Sequence, residues 1–221
     1  MNPLRRSLIT ALGLAPFAAL AQPPRPPQAG NGYIVLSTPQ PVDTAPGKIE
    51  VIEFFWYGCP HCYALEPKLE AWEAKLAPDV AFRPVPAIFS SGWAPYAQVF
   101  YAFEALGVRK RLHLPFFEAV HRDHLDIDNR AALEQWLTRH QVDPQKFDQA
   151  VKSFGVLSEV NRAKQMTIAY RIDGVPTIAV QGRYTVSGEQ SHVPQEGRAF
   201  DIMLATTDYL IGLARKGPGS A

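Results

Sequence analysis

A chain of 221 residues is long enough to bury a substantial core, as one large domain or as one domain with an insertion. Its 47% hydrophobic and 19% charged content is that of an ordinary globular protein and excludes a disordered or fibrous one. The formal charge is +1, and −1 without Arg5 and Arg6, so no field recruits nucleic acid or an anionic membrane surface, and neither is expected as a partner.

The first segment reads as an address. Arg5-Arg6 is a positive region, Leu8 to Leu20 is apolar apart from Thr10, and Ala19-Leu20-Ala21 offers a small-x-small cleavage site. The apolar run is shorter than the roughly 20 residues that span a bilayer. Residues 1–21 are therefore expected to be a cleaved signal peptide of the general secretory route, and the protein to be periplasmic. Residues 22–31, opening Gln22-Pro23-Pro24-Arg25-Pro26-Pro27, are expected to form an extended, disordered proline-rich spacer.

Tyr33 to Leu36 is a first short strand. Ile49 to Phe55 is a second, apolar on both faces apart from Glu50 and Glu53, as in a central strand covered on both sides. Gly58 breaks that run, and Cys62, Leu65, Leu69, Trp72 and Leu76 then repeat at helical spacing. Pro60 falls in the first turn of that helix, where its missing N–H costs nothing, and Pro67 predicts a kink inside it. Val80 to Arg83 closes a strand–helix–strand unit.

From Ser90 to Phe154 the pattern is helical. Tyr96, Val99, Phe100, Phe103 and Leu106 form one apolar face, and Phe116, Phe117 and Val120 another. Asp128 is expected to cap a helix bearing Leu133, Trp136 and Leu137. Asp143-Pro144 should open one bearing Phe147, Val151 and Phe154. A helix from about Ser158 to Tyr170 follows, then a hairpin from Gly174 to Val186 turning at Gln181-Gly182. A loop from Gly188 to Gly197 leads to a last helix with Phe200, Met203, Leu204, Thr207, Leu210 and Ile211 inside. Residues 217–221 are a frayed tail.

Both cysteines sit at one strand-to-helix corner, Cys59-Pro60-His61-Cys62. Export places them in an oxidising compartment. The ring they would close is too small to make a useful structural crosslink, since that stabilisation grows with loop length. Zinc needs about four ligands and no other cysteine exists, so no metal is expected; haem attachment is excluded because Tyr63 follows Cys62. A cysteine at a helix N-terminus faces free backbone N–H groups and the positive end of the dipole, which favour thiolate. The dipole contributes about 0.3–2 kcal/mol, so a larger effect is assigned to a protonated His61 donating to the Cys59 sulfur. Cys59 is expected to be exposed and Cys62 buried. Whatever stabilises the thiolate stabilises the reduced pair and makes the disulfide the stronger oxidant.

Phe54-Phe55 followed by Gly58-Cys59-Pro60-His61-Cys62-Tyr63 resembles the active-site stretch of the DsbA family of thiol:disulfide oxidases, over nearly everything from Gly32 to Lys216. The resemblance implies an α/β chain, a thioredoxin fold with an inserted all-helical domain: residues 32–89 and 157–216 as the discontinuous thioredoxin domain and 90–156 as the insertion. It implies that Val175–Pro176 is cis, facing the cysteines and presenting the Val175 backbone to substrate, although only about 5–6% of such bonds are cis in general. It implies that Glu53 exchanges protons with Cys62. The activity implied is oxidation of reduced, unfolded exported proteins by the Cys59–Cys62 disulfide, without a cofactor, by a monomer that a DsbB-like quinone-linked membrane protein reoxidises. An isomerase or reductase, or a non-catalytic peptide-binding module on the same fold, are the alternatives. His113, His121, His124 and His140 are read as solvated surface side chains.

Overall fold

The computed structural model describes residues 26–217. The expected signal peptide, the start of the expected spacer and residues 218–221 of the expected tail lie outside the described residues.

The central strand, Ile49–Phe55, is buried at all seven positions. It cannot be otherwise, because it has neighbours on both edges and helices on both faces. We number the strands in chain order: β1 (Gln28–Ala29), β2 (Gly32–Val35), β3 (Ile49–Phe55), β4 (Val80–Pro86), β5 (Thr177–Val180) and β6 (Tyr184–Ser187). Among the described residues they form one sheet in the order β1-β2-β6-β5-β3-β4. β3 runs parallel to β4, from Ile49 opposite Val80 to Phe55 opposite Pro86, and antiparallel to β5. Within the expected spacer, Gln28 and Ala29 pair with β2, so that part is an edge strand rather than disordered chain.

Alternation along β3 divides the core. Ile49 and Val51 pack with Leu65, Leu69 and Trp72 of α1 (Pro60–Glu73) and with Met203, Leu210 and Ile211 of α7 (Glu196–Arg215). Ile52 and Phe54 face the other way, into a cluster with Phe100, Phe103, Phe116 and Phe117. That second cluster belongs to the helices inserted between β4 and β5: α2 (Ala94–Ala105), α3 (Arg109–His121), α4 (Arg130–Arg139), α5 (Pro144–Val151) and α6 (Phe154–Ala169). The sheet and the inserted helices thus share the second cluster, while the first lies on the opposite face of the sheet. α6 crosses the expected boundary at 156/157 as a single helix.

Several local expectations change. α1 continues through Pro67 to Glu73, and Leu76 packs on the core from just beyond the helix end. The cap of α4 is Asn129, whose side chain accepts from the Ala132 N–H at 3.2 Å, rather than Asp128. Asp143 caps α5 as expected, accepting from Gln145 and Lys146, but α5 stops at Val151. The Ser153 hydroxyl then accepts from the Val156 N–H and starts α6, which leaves Phe154 on the surface, 88% exposed, instead of on the face of α5. α7 begins at Glu196, so Gly197 lies inside the helix rather than closing the loop.

The hairpin turn requires its glycine. Gly182 has φ +60°, and a Cβ there would sit 2.2 Å from the Gln40 carbonyl oxygen. Gly182→Ala is expected to cost about 1–3 kcal/mol, since backbone must move to relieve the overlap; chemical denaturation measures it, and a loss under about 0.5 kcal/mol would show that the Gln40 loop yields freely.

Candidate active site

The corner between β3 and α1 is shaped by Trp56 and Gly58. The Trp56 ring stacks on Trp93, 4.1 Å between centroids, and lies over Gly58, where any Cβ would meet it at 2.4 Å. Glycine lets the chain turn under that ring and deliver Cys59 to the helix N-cap position. Cys59 is in extended conformation, Pro60 opens the helix, and the Cys59 Sγ accepts the Cys62 N–H at 3.4 Å.

From across the fold, the loop before β5 brings Val175 and Pro176. The Val175–Pro176 bond is cis. The Cys59 thiol donates to the Val175 carbonyl oxygen at 3.4 Å, over 116 residues of sequence. This closure corrects the expectation of an exposed Cys59: it is 6% exposed, and Cys62 is sealed completely.

The two sulfurs differ sharply. The Cys59 thiol is lowered from 9.0 to about 6; the hydrogen bond from the Cys62 thiol is the largest cause, burial opposes it, and the backbone N–H groups of Cys62 and His61 add to it. The His61 charge is the smallest of these contributions. Its ring does not reach the sulfur, because Nδ1 is paired with the Glu196 carboxylate at the start of α7, which holds the imidazole above its ordinary value. The expected His61-to-sulfur hydrogen bond is thus replaced by a His61–Glu196 ion pair. Burial pushes the Cys62 thiol well up, and the hydrogen bond to Cys59 adds to that.

A groove of about 430 Å³ runs beside the cysteines, lined by His61, Val175, Pro176, Glu189, Glu196 and Phe200 among others. Behind them lies a second cavity of about 520 Å³, lined by Glu53, Glu66, Glu70, Glu73, Lys110 and His113 among others. Glu53 is fully buried, neither of its oxygens has a hydrogen-bond partner, and burial followed by the neighbouring Glu66 raises its carboxyl well above the usual range. One donor atom each of Glu53, Glu66 and His113 lies within 4.8 Å of the others.

The histidines are not uniformly surface groups. His113 bonds the Tyr57 hydroxyl through Nδ1 at 2.8 Å and faces Glu66 through Nε2 at 3.3 Å. His121 donates from Nε2 to the Tyr57 carbonyl and stacks on Tyr63; His140 stacks on Trp136. Of the four, only His124 is exposed. Glu66 and Glu196 went unread in the sequence, and His113 was read there only as a surface side chain. Glu66 alone left a signal, lying four residues after Cys62 and hence on the same face of the helix.

The chain is similar to known proteins over most of its length. A family model described as a DSBA-like thioredoxin domain matches residues 79–193. The thiol:disulfide interchange protein DsbA of Burkholderia cepacia is 40% identical over 206 residues, covering 92% of this chain and 96% of that protein. The DsbA of Pseudomonas aeruginosa is 38% identical over 209 residues, covering 94% and 96%. The crystal structure of the oxidoreductase DsbA from Xylella fastidiosa superposes with a TM-score of 0.78 at 35% identity, covering 87% of this chain and all of that one.

Proposed function

The chain belongs to the DsbA family of thiol:disulfide interchange proteins, and from that premise we propose how its own residues carry out disulfide donation. The protein is a thiol:disulfide oxidoreductase, a dithiol–disulfide oxidase. The observation that carries the assignment of roles is the asymmetry of the pair: Cys59 is favoured as thiolate and Cys62 as thiol.

A thiolate of a reduced substrate protein attacks the Cys59 sulfur of the disulfide, and Cys62 departs. A second substrate thiolate attacks the substrate's own sulfur in the mixed disulfide with Cys59, forming the substrate disulfide. Cys59 leaves as a thiolate, and the lower its thiol pKa the better it leaves. The substrate lies extended in the groove, with its backbone against Val175 beside Pro176, in the manner of a strand added to an edge. Pro60 sets the first turn of the helix so that its N–H groups meet the Cys59 sulfur, and His61 adds positive charge at the groove. Glu53 exchanges a proton with Cys62. The chain acts in the periplasm on reduced exported proteins, as a monomer, with residues 32–89 and 157–216 forming the thioredoxin domain around the insertion 90–156; a quinone-linked membrane protein of the DsbB kind restores the disulfide. Among the described residues no helix is long and apolar enough to cross a membrane.

The test is the equilibrium of the Cys59–Cys62 pair with glutathione. A potential well above that of thioredoxin, about −270 mV, is expected; one close to it would overturn the oxidase in favour of a reductase.

A pH dependence follows from the lowered Cys59 pKa. Alkylation of the reduced protein should rise with pH and level off just above pH 6, where an ordinary cysteine is still gaining reactivity. Between about 6 and 9.0 the folded reduced protein binds fewer protons than the unfolded chain. Its stability therefore rises with pH across that window and is lost as pH falls through about 6. The oxidised protein has no such titration, so urea unfolding of both forms at pH 5.5 and 8.5 should show the reduced form gaining on the oxidised one.

A further inference from the structure

The groove beside the cysteines has an apolar floor and an acidic rim. We propose that it selects reduced chains carrying a lysine or arginine close to the reacting cysteine. The proposal rests on the reading of this groove as the place where substrate lies, and adds which side chains it takes.

Three observations carry it. The lining of this cavity of about 430 Å³ includes Asp173, Glu189 and Glu196, and neither a lysine nor an arginine; its one cationic group is His61. His61 is already paired with Glu196. Asp173 and Glu189 are exposed and enter no ion pair among the described residues, so two carboxylates stand uncompensated at the rim. Glu189 is presented by the short turn Gly188–Ser191, which is tied down by the Ser187 N–H donating to the Gln190 side chain at 3.2 Å. Beneath the rim the lining is hydrocarbon: Pro176, Ala199 and Phe200 are buried, and Val175 and Val193 are half-buried. The groove also starts at the reacting sulfur, because the Cys59 thiol bonds the carbonyl of Val175 at 3.4 Å. Extended chain advances about 3.3 Å per residue, so a side chain that enters the groove belongs to a close neighbour of the substrate cysteine.

An apolar floor under a negative rim fits lysine and arginine better than any other side chain. Their aliphatic stems lie along hydrocarbon while the charged head stays in water. The stem covers Pro176 and Phe200, and the head meets Asp173 and Glu189. A leucine would use the floor alone, and a glutamate would bring a further negative charge to a rim that has two to spare. The field also acts before contact, since a cleft lined by one sign of charge speeds the approach of the opposite sign. Exposed ion pairs contribute little each, so the groove discriminates between substrates without holding any of them tightly. Exchange at Cys59 and Cys62 is the same for all.

The experiment is stopped-flow reduction of the oxidised protein at pH 7 by two dithiol peptides, alike and otherwise neutral, with a lysine or a glutamate between their cysteines. Each rate is divided by that peptide's rate with 2-hydroxyethyl disulfide, which removes the effect of the charge on its own thiols. It is divided again by the protein's rate with dithiothreitol, which is too small to need the groove. The expected result is a lysine preference of about tenfold at low ionic strength. It should fall several-fold in about 1 M salt, and to near unity in the double variant Asp173→Asn, Glu189→Gln. The preference is a ratio within each protein, so a variant that merely reacts more slowly does not imitate its loss. A wild-type ratio near unity, a glutamate preference, or a lysine preference that the double variant keeps would overturn the selection. Val193→Trp, which puts a bulky ring into the groove, tests the premise separately and should slow both peptides relative to dithiothreitol. Slowing of both with a wild-type ratio near unity removes the charge selection alone. Slowing of neither places substrate elsewhere and removes the premise with it.

Discussion

Cys62→Ala is expected to reduce disulfide donation to background and at the same time to raise the Cys59 thiol pKa from about 6 by about 1–2 pH units. The first effect is stoichiometric: without Cys62 there is no disulfide to donate. The second is diagnostic of how the thiolate is held. The Cys62 thiol is the largest single cause of the low Cys59 value. A hydrogen bond to a charged acceptor contributes about 1.5–3 kcal/mol, and about 1.4 kcal/mol corresponds to one pH unit. The Cys62 N–H at 3.4 Å and the helix terminus survive the substitution, so the thiol should not return all the way to 9.0. Cys62→Ser is equally inactive but keeps a donor, and its Cys59 should titrate near the wild-type value. Thiolate absorbance against pH distinguishes the two. Equal midpoints in the Ala and Ser variants would mean that backbone N–H groups alone hold the sulfur.

The same contrast explains what was legible from the amino-acid order. Periodicity carried the stripes of α1 and α7 and the two-sided burial of β3, because those patterns are written in local spacing. The C-x-x-C corner, Pro60 at the first helical position and the Asp143-Pro144 cap are also local. The role given to His61 was not well placed, for a reason of distance: its partner Glu196 lies 135 residues away on another helix, and no spacing rule joins them. Burial of Cys59 depends on Val175, 116 residues on. His113 belonged to a set of histidines in amphipathic helices, where a surface position is the ordinary outcome; only packing of α3 against Tyr57 and α1 makes it an interior group. Asn129 and Asp128 are both capable caps, and the choice between them is made by backbone geometry that neighbouring residue types do not encode. In each case the missing information was tertiary.

Glu53→Leu is expected to make the protein more stable by about 1–3 kcal/mol and slower by about a hundredfold in the step that protonates or deprotonates Cys62. The two effects have one origin. Glu53 sits in the middle of a strand buried on both faces, with no hydrogen bond to either oxygen, so the fold would gain from an apolar side chain of similar size. It is tolerable as a neutral carboxyl group, which is the form burial and Glu66 favour. The sign of the pH effect follows. Because the folded pKa is raised above the unfolded one, the folded protein holds a proton that the unfolded chain releases once pH exceeds about 4.5. Stability contributed at this site therefore falls as pH rises above that value, and the cost is complete only above the folded pKa. The advantage of Glu53→Leu should accordingly be smaller at pH 5 than at pH 8, measured by urea unfolding with both proteins in the same redox state so that the Cys59 titration cancels. An advantage that shrinks with rising pH would mean that Glu53 is held ionised in the fold, and a proton donor for Cys62 would have to be sought elsewhere. A Leu variant that is more stable but equally fast would mean that the buried acid contributes nothing to the exchange at Cys62. A more stable, slower variant would show a carboxyl group kept in the core against the preference of the fold, because the thiol beside it has to gain and lose a proton out of reach of water.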